Sequence, residues 1–129
     1  MGTRHLTFTL LPETLSVCRL APADPVPSWA EAAPFCSIPP TADELSIICH
    51  SAAVPEGVAA APGWRCLKLE GPFDFSETGL VASFSTALAR AGISLMAVCT
   101  YDTDYLLVRQ ADLEKAIATL EKSEYRIRR

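Results

Sequence analysis

The residues best suited to chemistry in this chain gather between Asp74 and Asp104, and their spacing argues for holding a molecule, not transforming one. Ser76, Ser83 and Ser85 stand near Glu77. A serine nucleophile needs a base beside it and a strained turn to expose it, and no Gly-x-Ser-x-Gly elbow is present. His5 and His50 lack a companion motif and read as structural. Asp74 and Glu77, three residues apart, have the residue types of a paired-acid site, but capping of a helix that starts beside them accounts for both more simply. The cysteines (Cys18, Cys36, Cys49, Cys66 and Cys99) are odd in number, form no Cys-x-x-Cys pair and lie in or beside apolar runs. Reduced, mostly buried thiols are therefore expected, with no disulfide framework and no zinc site. No glycine-rich loop is shaped to cradle a phosphate. These readings point away from an enzyme, and neither a cofactor nor a metal is expected.

Composition sets the frame for these residues. The chain has 129 residues, half of them apolar and a fifth charged, with a formal net charge of -4. That balance suits a globular fold and excludes a disordered one. It gives no support to nucleic-acid binding: Arg126, Arg128 and Arg129 make the one basic cluster, and three cations at one end of a chain read as a solvated end. No apolar run is long enough to span a membrane. The stretch from Met1 to Leu11 passes into Pro12-Glu13 without a small-residue cleavage site, so a cytoplasmic location is expected.

The elements that must position the Asp74–Asp104 residues are clearest after Trp64. Arg65 to Glu70 alternates in character, as a strand does, and Gly71-Pro72 breaks it. A helix is expected from Ser76 as N-cap, with Glu77 in its first turn and Leu80 or Val81, Phe84, Leu88 and Ala91 on one stripe. Gly92 then stops it. Ile93 to Cys99 and Tyr105 to Val108 read as strands about the polar break 101–104; Asp112 opens a second helix, and Glu124 to Arg128 is a last strand. The order β-α-β-β-α-β is the split βαβ arrangement of an α+β, ferredoxin-like sandwich.

The earlier half is less regular. Leu6 to Leu11 and Thr14 to Leu20 suggest a hairpin about Pro12-Glu13, Ser28 to Ala32 a short helix, and Phe35 to Ile38 with Leu45 to His50 two strands about Pro39-Pro40-Thr41. A helical turn or loop is expected over Ser51 to Gly63. Glu44 to Cys49 can be laid on Asp104 to Arg109 as a weak internal repeat, each following a polar turn.

Three stretches carry a family resemblance: the run Leu69 to Ser83 (LEGPFDFSETGLVAS), then Leu88-Ala89-Arg90-Ala91-Gly92-Ile93-Ser94, then Cys99 to Val108 (CTYDTDYLLV) with the Asp112 to Ile117 helix behind it. In that order they resemble the small bacterial two-ACT proteins related to the regulatory region of aspartate kinases, and are similar to CASTOR-type arginine sensors. The resemblance covers about Phe35 to Tyr125 and is strongest after Trp64. It implies two tandem ACT-like modules, a degenerate one over 1–63 and an ACT domain over 64–129. It also implies an amino-acid ligand held at an interface between ACT units. Carried over by position, Glu77, Thr78, Gly79, Leu80 and Val81 form the loop and helix start that receives the ligand, while Thr100, Tyr101 and Asp104 line it from the turn opposite. The proline-interrupted earlier half departs from the pattern, which places the site on the later module.

The chemistry of these residues agrees with such a site, beside plainer readings. A helix start offers free N–H groups to a carboxylate, and Gly79 leaves room for close approach. Asp104 or Asp102 accepts from an ammonium, and Tyr101 and Tyr105 supply walls with a polar tip. Equally, Ser76 and Glu77 serve as caps, Gly79 serves helix packing, Asp102 and Asp104 serve the turn, and Tyr105 serves the core. The expectation is an amino-acid-binding, allosteric regulatory protein, most simply a homodimer. A ligand-free assembly module is the alternative, and a small enzyme comes third.

Overall fold

The computed structural model describes residues 6–31, 35–74 and 76–129. The strands are β1 (Thr7–Leu20), β2 (Leu45–His50), β3 (Ala59–Leu69), β4 (Leu95–Cys99), β5 (Asp104–Arg109) and β6 (Arg126–Arg128). The helices are α1 (Leu80–Arg90) and α2 (Leu113–Lys122), and single 3-10 turns cover Ser28–Glu31, Ser51–Ala53 and Gln110–Asp112. The chain divides into two compact units, one made of Met1–Pro12 with Arg65–Arg129, the other of Glu13–Trp64. The first unit thus takes up the start of the chain, which the expected boundary near Trp64 had left out.

In the first unit β4 pairs antiparallel with β5, β5 lies beside β3, and β3 lies beside the start of β1. β6 runs parallel to β1, with Thr7 opposite Arg126 and Thr9 opposite Arg128. This is the expected α+β sandwich, with the start of β1 inserted between its first and last strands. The insertion has a packing reason. Phe8 is fully buried among Leu67, Leu69, Phe84, Leu88, Leu106, Ile117 and Leu120, and its ring meets Phe84 edge-on at 5.6 Å. A buried aromatic side chain of this kind contributes several kcal/mol, roughly 3 to 5 by its removal.

The helical stripes fall where the spacing put them. Phe84 and Leu88 are the buried positions of α1, with Val81 and Ala91 packed at its margin. Leu113, Ala116, Ile117 and Leu120 are those of α2. Gly92, at φ 75, ends α1 in a Schellman motif: its N–H bonds Ala89 O and the Ile93 N–H bonds Leu88 O, both at 3.0 Å. α2 ends the same way, but with Glu124 in the left-handed position at φ 71.

The second unit pairs β2 antiparallel with the later part of β1, from Leu15 opposite His50 to Leu20 opposite Leu45. Cys18, Ala30, Leu45, Ile47 and Cys49 form its buried cluster. Four expectations change here and at its borders. β1 is one continuous strand, not a hairpin about Pro12-Glu13. Its pairing to β6 ends at Thr9 and to β2 begins at Leu15, so Pro12 falls between the stretch paired to β6 and the stretch paired to β2. Phe35 to Ile38 is not a strand: Ser37 bridges Ile48 and Pro40 bridges Leu45 only as isolated pairs, since prolines 39 and 40 interrupt the ladder. The Ser51 to Gly63 stretch is a 3-10 turn followed by the first five residues of β3. The short helix at Ser28 is a 3-10 turn whose expected last residue, Ala32, lies outside the described residues, as does His5. The two segments aligned as a repeat fall on six-residue strands, each followed directly by a 3-10 turn of three residues, although β2 starts one residue later in the alignment than β5 does.

Candidate functional site

Helix α1 begins later than its sequence suggests. Asp74 draws the preceding residues into a turn of their own: its Oδ1 accepts the Ser76 N–H at 2.9 Å, and its carbonyl accepts the Glu77 N–H at 3.0 Å. The bond from the Ser76 N–H, with a second from the Ser76 side chain, holds the Asp74 carboxyl below its usual range. Ser76 is therefore not the N-cap, and Glu77 precedes the first helical turn. The N-cap is Gly79, at φ 80, which has no side chain to give a capping bond. An added Cβ at Gly79 would meet open space, so the position asks for glycine because of its left-handed backbone, not because anything crowds it. Ser83 N–H to Gly79 O, at 2.9 Å, closes the first turn. The amides of Leu80, Val81 and Ala82 precede it and have no acceptor within the helix.

Facing this helix start is the β4–β5 turn. Thr100 binds the Thr103 carbonyl twice, through its N–H at 2.8 Å and its hydroxyl at 2.9 Å. Thr103 is buried, 7% exposed, and donates its own hydroxyl to Leu69 O. The turn meets the loop after β3 through Phe73 N–H to Asp102 O at 2.8 Å. Tyr101 is 80% exposed at the tip. Asp104 stands opposite Cys99 in the β4–β5 register, and the hydrogen bond from the Cys99 thiol to its carboxylate, together with burial, raises the thiol above its usual value.

Between helix start and turn lies a cavity of about 360 Å³. Its walls are Phe73, Asp74 and Glu77 from the loop, Gly79 to Ala82 from the helix, and Cys99 to Asp104 from the turn. Of the residues singled out by sequence, Glu77, Gly79, Leu80, Val81, Thr100, Tyr101 and Asp104 all line it; Thr78 does not. Tyr105 also stays out of the wall, half-buried opposite Val98. Sequence reasoning missed Phe73, Asp74, Ala82, Cys99 and Thr103 as wall residues. Cys99 follows from strand register, which pairs it with Asp104, but spacing along one strand does not reveal a cross-strand neighbour.

The charge of the cavity is one-sided. Asp74, Glu77, Asp102 and Asp104 supply carboxylates, and among the described residues no Lys, Arg or His lines it. The opposing positive potential is that of the uncapped α1 N-terminus. The five cysteines are free thiols, with Cys18, Cys49 and Cys66 buried and Cys36 and Cys99 exposed. Among the described residues, no helix is long and apolar enough to cross a membrane.

Comparison with known proteins bears on this geometry. The family model for the ACT domain matches residues 59–122, the span that carries every wall of the cavity. A crystal structure of a protein from Agrobacterium tumefaciens is 38% identical, covers 97% of this chain and 93% of that one, and superposes with a TM-score of 0.91. The chain belongs to the ACT-domain family. A second family model, for an N-terminal domain, matches residues 13–57, ahead of the ACT match. The ACT fold is shared with aspartate kinase from Clostridium acetobutylicum at 15% identity and a TM-score of 0.67, where the match covers 87% of this chain and 33% of the kinase. It is shared too with the regulatory subunit of aspartate kinase from Thermus thermophilus, in its ligand-free form, at 12% identity, a TM-score of 0.60 and coverage of 86% and 93%. Among curated proteins no match was found.

Proposed function

We propose that this ACT protein is a non-catalytic, cytoplasmic regulatory sensor that binds a free amino acid in the cavity between the α1 start and the β4–β5 turn. One observation carries the reading: an uncapped helix N-terminus and the Asp104 carboxylate face a single cavity. A zwitterion fits that polarity. Its carboxylate takes the free amides at Leu80 and Val81, and its ammonium takes Asp104 or Asp102 in charge-assisted hydrogen bonds. Phe73, Leu80, Val81 and Tyr101 are left to meet its side chain. Family membership and the fold shared with aspartate kinase regulatory regions support a regulatory role of this kind.

The chain acts as a homodimer in this reading, with the ligand at an interface between ACT units and Tyr101 at the mouth of the cavity. Binding favours one arrangement of the units, which a partner protein reads as a population shift. Glu13–Trp64 is the remnant of a second, degenerate module; the matching strand-then-turn of the two repeat segments supports this. A thermal-shift screen against the twenty free amino acids tests the proposal. A true ligand at about a hundredfold excess over Kd stabilises by about 2.7 kcal/mol. No shift with any of them, in a protein whose solution mass exceeds one chain, leaves assembly as its role.

A further inference from the structure

Gly71 does not line the cavity, yet it sits where the two walls of the site are fastened together. A Cβ built there would lie 3.1 Å from Asp102 O, 3.1 Å from Phe73 N and 3.0 Å from Phe73 Cδ2. Asp102 O and Phe73 N are the two ends of the hydrogen bond that joins turn to loop. The backbone at Gly71 has no positive φ, so conformation does not demand glycine; space does. Two residues earlier in the chain, Leu69 O accepts the hydroxyl of buried Thr103. The turn that presents Thr100, Tyr101 and Asp104 is thus tied to the end of β3 at two points, on either side of Gly71.

We infer that Gly71 and Thr103 are positioning residues that set the width of the ligand site by holding the β4–β5 turn against the β3–α1 loop. Gly71 lies outside the cavity, and Thr103, although part of its wall, acts here through the hydroxyl it gives to Leu69 O. A methyl at Gly71 displaces the Asp102 carbonyl by a few tenths of an ångström: the Phe73 ring can turn away from it, but Asp102 O and Phe73 N are backbone atoms and cannot. Tyr101 and Asp104 move with that carbonyl, and Leu80 and Val81 do not. Loss of the Thr103 hydroxyl frees the same turn from the other side. The site then opens, and a guest that spans it loses one of its two ends.

The inference rests on the proposed function, and one experiment separates the two. Amide hydrogen exchange is measured on the full ligand-free chain for the natural protein, Gly71→Ala, Thr103→Val and Thr103→Ser. Each of the twenty free L-amino acids is then titrated in turn into the same four proteins. Protection of the Phe73 amide should fall by about tenfold in Gly71→Ala and Thr103→Val, the weight of one hydrogen bond. It should hold in Thr103→Ser, which keeps the hydroxyl. The Ile93 and Tyr125 amides, bonded at the far ends of α1 and α2, should keep theirs. The amino acid that binds the natural protein should bind the first two variants about tenfold more weakly. Unchanged Phe73 protection, or an equal fall at Phe73, Ile93 and Tyr125, overturns the inference, because a residue that only supports the fold loosens every amide alike. If no amino acid binds the natural protein, the functional proposal fails and the exchange result still decides whether Gly71 and Thr103 hold the turn.

Discussion

Replacing Glu124 by glycine should make the protein more stable, although it removes a side chain and adds no contact. Both helices of the ACT unit end in the same Schellman motif, with the left-handed residue at φ 75 in Gly92 and φ 71 in Glu124. After α2 the Glu124 N–H bonds Glu121 O and the Tyr125 N–H bonds Leu120 O, both at 3.0 Å, so the motif is complete and its backbone will not relax. A side chain in that conformation costs about 1 to 2 kcal/mol. Glycine removes this cost but loses about 0.5 to 1 kcal/mol through its freer unfolded chain. The net gain is about 0.5 to 1 kcal/mol, or roughly 2 to 4 °C in Tm for a chain of this size. Gly92→Ala is the reciprocal change. Its methyl would enter open space, so only the backbone term acts, and stability should fall by about 1 kcal/mol. Urea unfolding of the two variants beside the parent measures both. A destabilised Glu124→Gly, together with a neutral Gly92→Ala, would refute the reasoning that backbone conformation governs these two ends.

Three further outcomes follow from the site and the thiols. Asp104→Ala should weaken amino-acid binding by about 1 to 3 kcal/mol, the value of a hydrogen bond to a charged group, as read by calorimetric titration; unchanged affinity removes Asp104 from the site. Burial, with Cys18 alongside, pushes the Cys49 thiol up to about 11. The folded state therefore favours the neutral thiol, and the stability this gives is complete below the ordinary thiol value near 8.5 and is lost as pH rises from there toward 11. Denaturation midpoints across that window should fall less steeply in Cys49→Ala than in the parent, and equal slopes contradict it. Alkylation of the native protein followed by mass spectrometry should modify exposed Cys36 quickly, exposed Cys99 more slowly because its bond to Asp104 keeps the thiol protonated, and buried Cys18, Cys49 and Cys66 slowest; fast labelling at Cys49 would mean that its cluster opens readily.

The fold after Trp64 was legible because two strong signals agree there. Phe84 and Leu88, and then Leu113, Ile117 and Leu120, keep helical spacing, and the strands between them are short apolar runs with polar breaks. What sequence could not show is where chain segments compete for the same hydrogen bonds. Ser76 has the right type for a cap, but Asp74 folds Ser76 and Glu77 into a turn of their own, and α1 starts only at Leu80. Pro12 has the right type for a turn, yet it lies inside one long strand, between the stretch paired to β6 and the stretch paired to β2. Ala59 to Gly63 carries neither alternation nor branched residues, and only its place in β3 makes it a strand. The site divides in the same way. Gly79, Tyr101 and Asp104 stood out through resemblance and residue type. Cys99, Thr103 and Gly71 matter through register, a buried hydroxyl and a missing Cβ, none of which has a spacing to read.

Occupation of the cavity walled by Gly79, Tyr101 and Asp104 by a free amino acid can be read at a single side chain. Cys99 reports on it directly, because its exposed thiol is part of that wall and Cys36 is not. The deciding measurement is the alkylation rate of the two thiols with and without an amino acid that raises the melting temperature. The account predicts that Cys99 slows in proportion to occupancy while Cys36 keeps its rate. A stabilising amino acid that leaves the Cys99 rate unchanged would place the binding site elsewhere on the molecule.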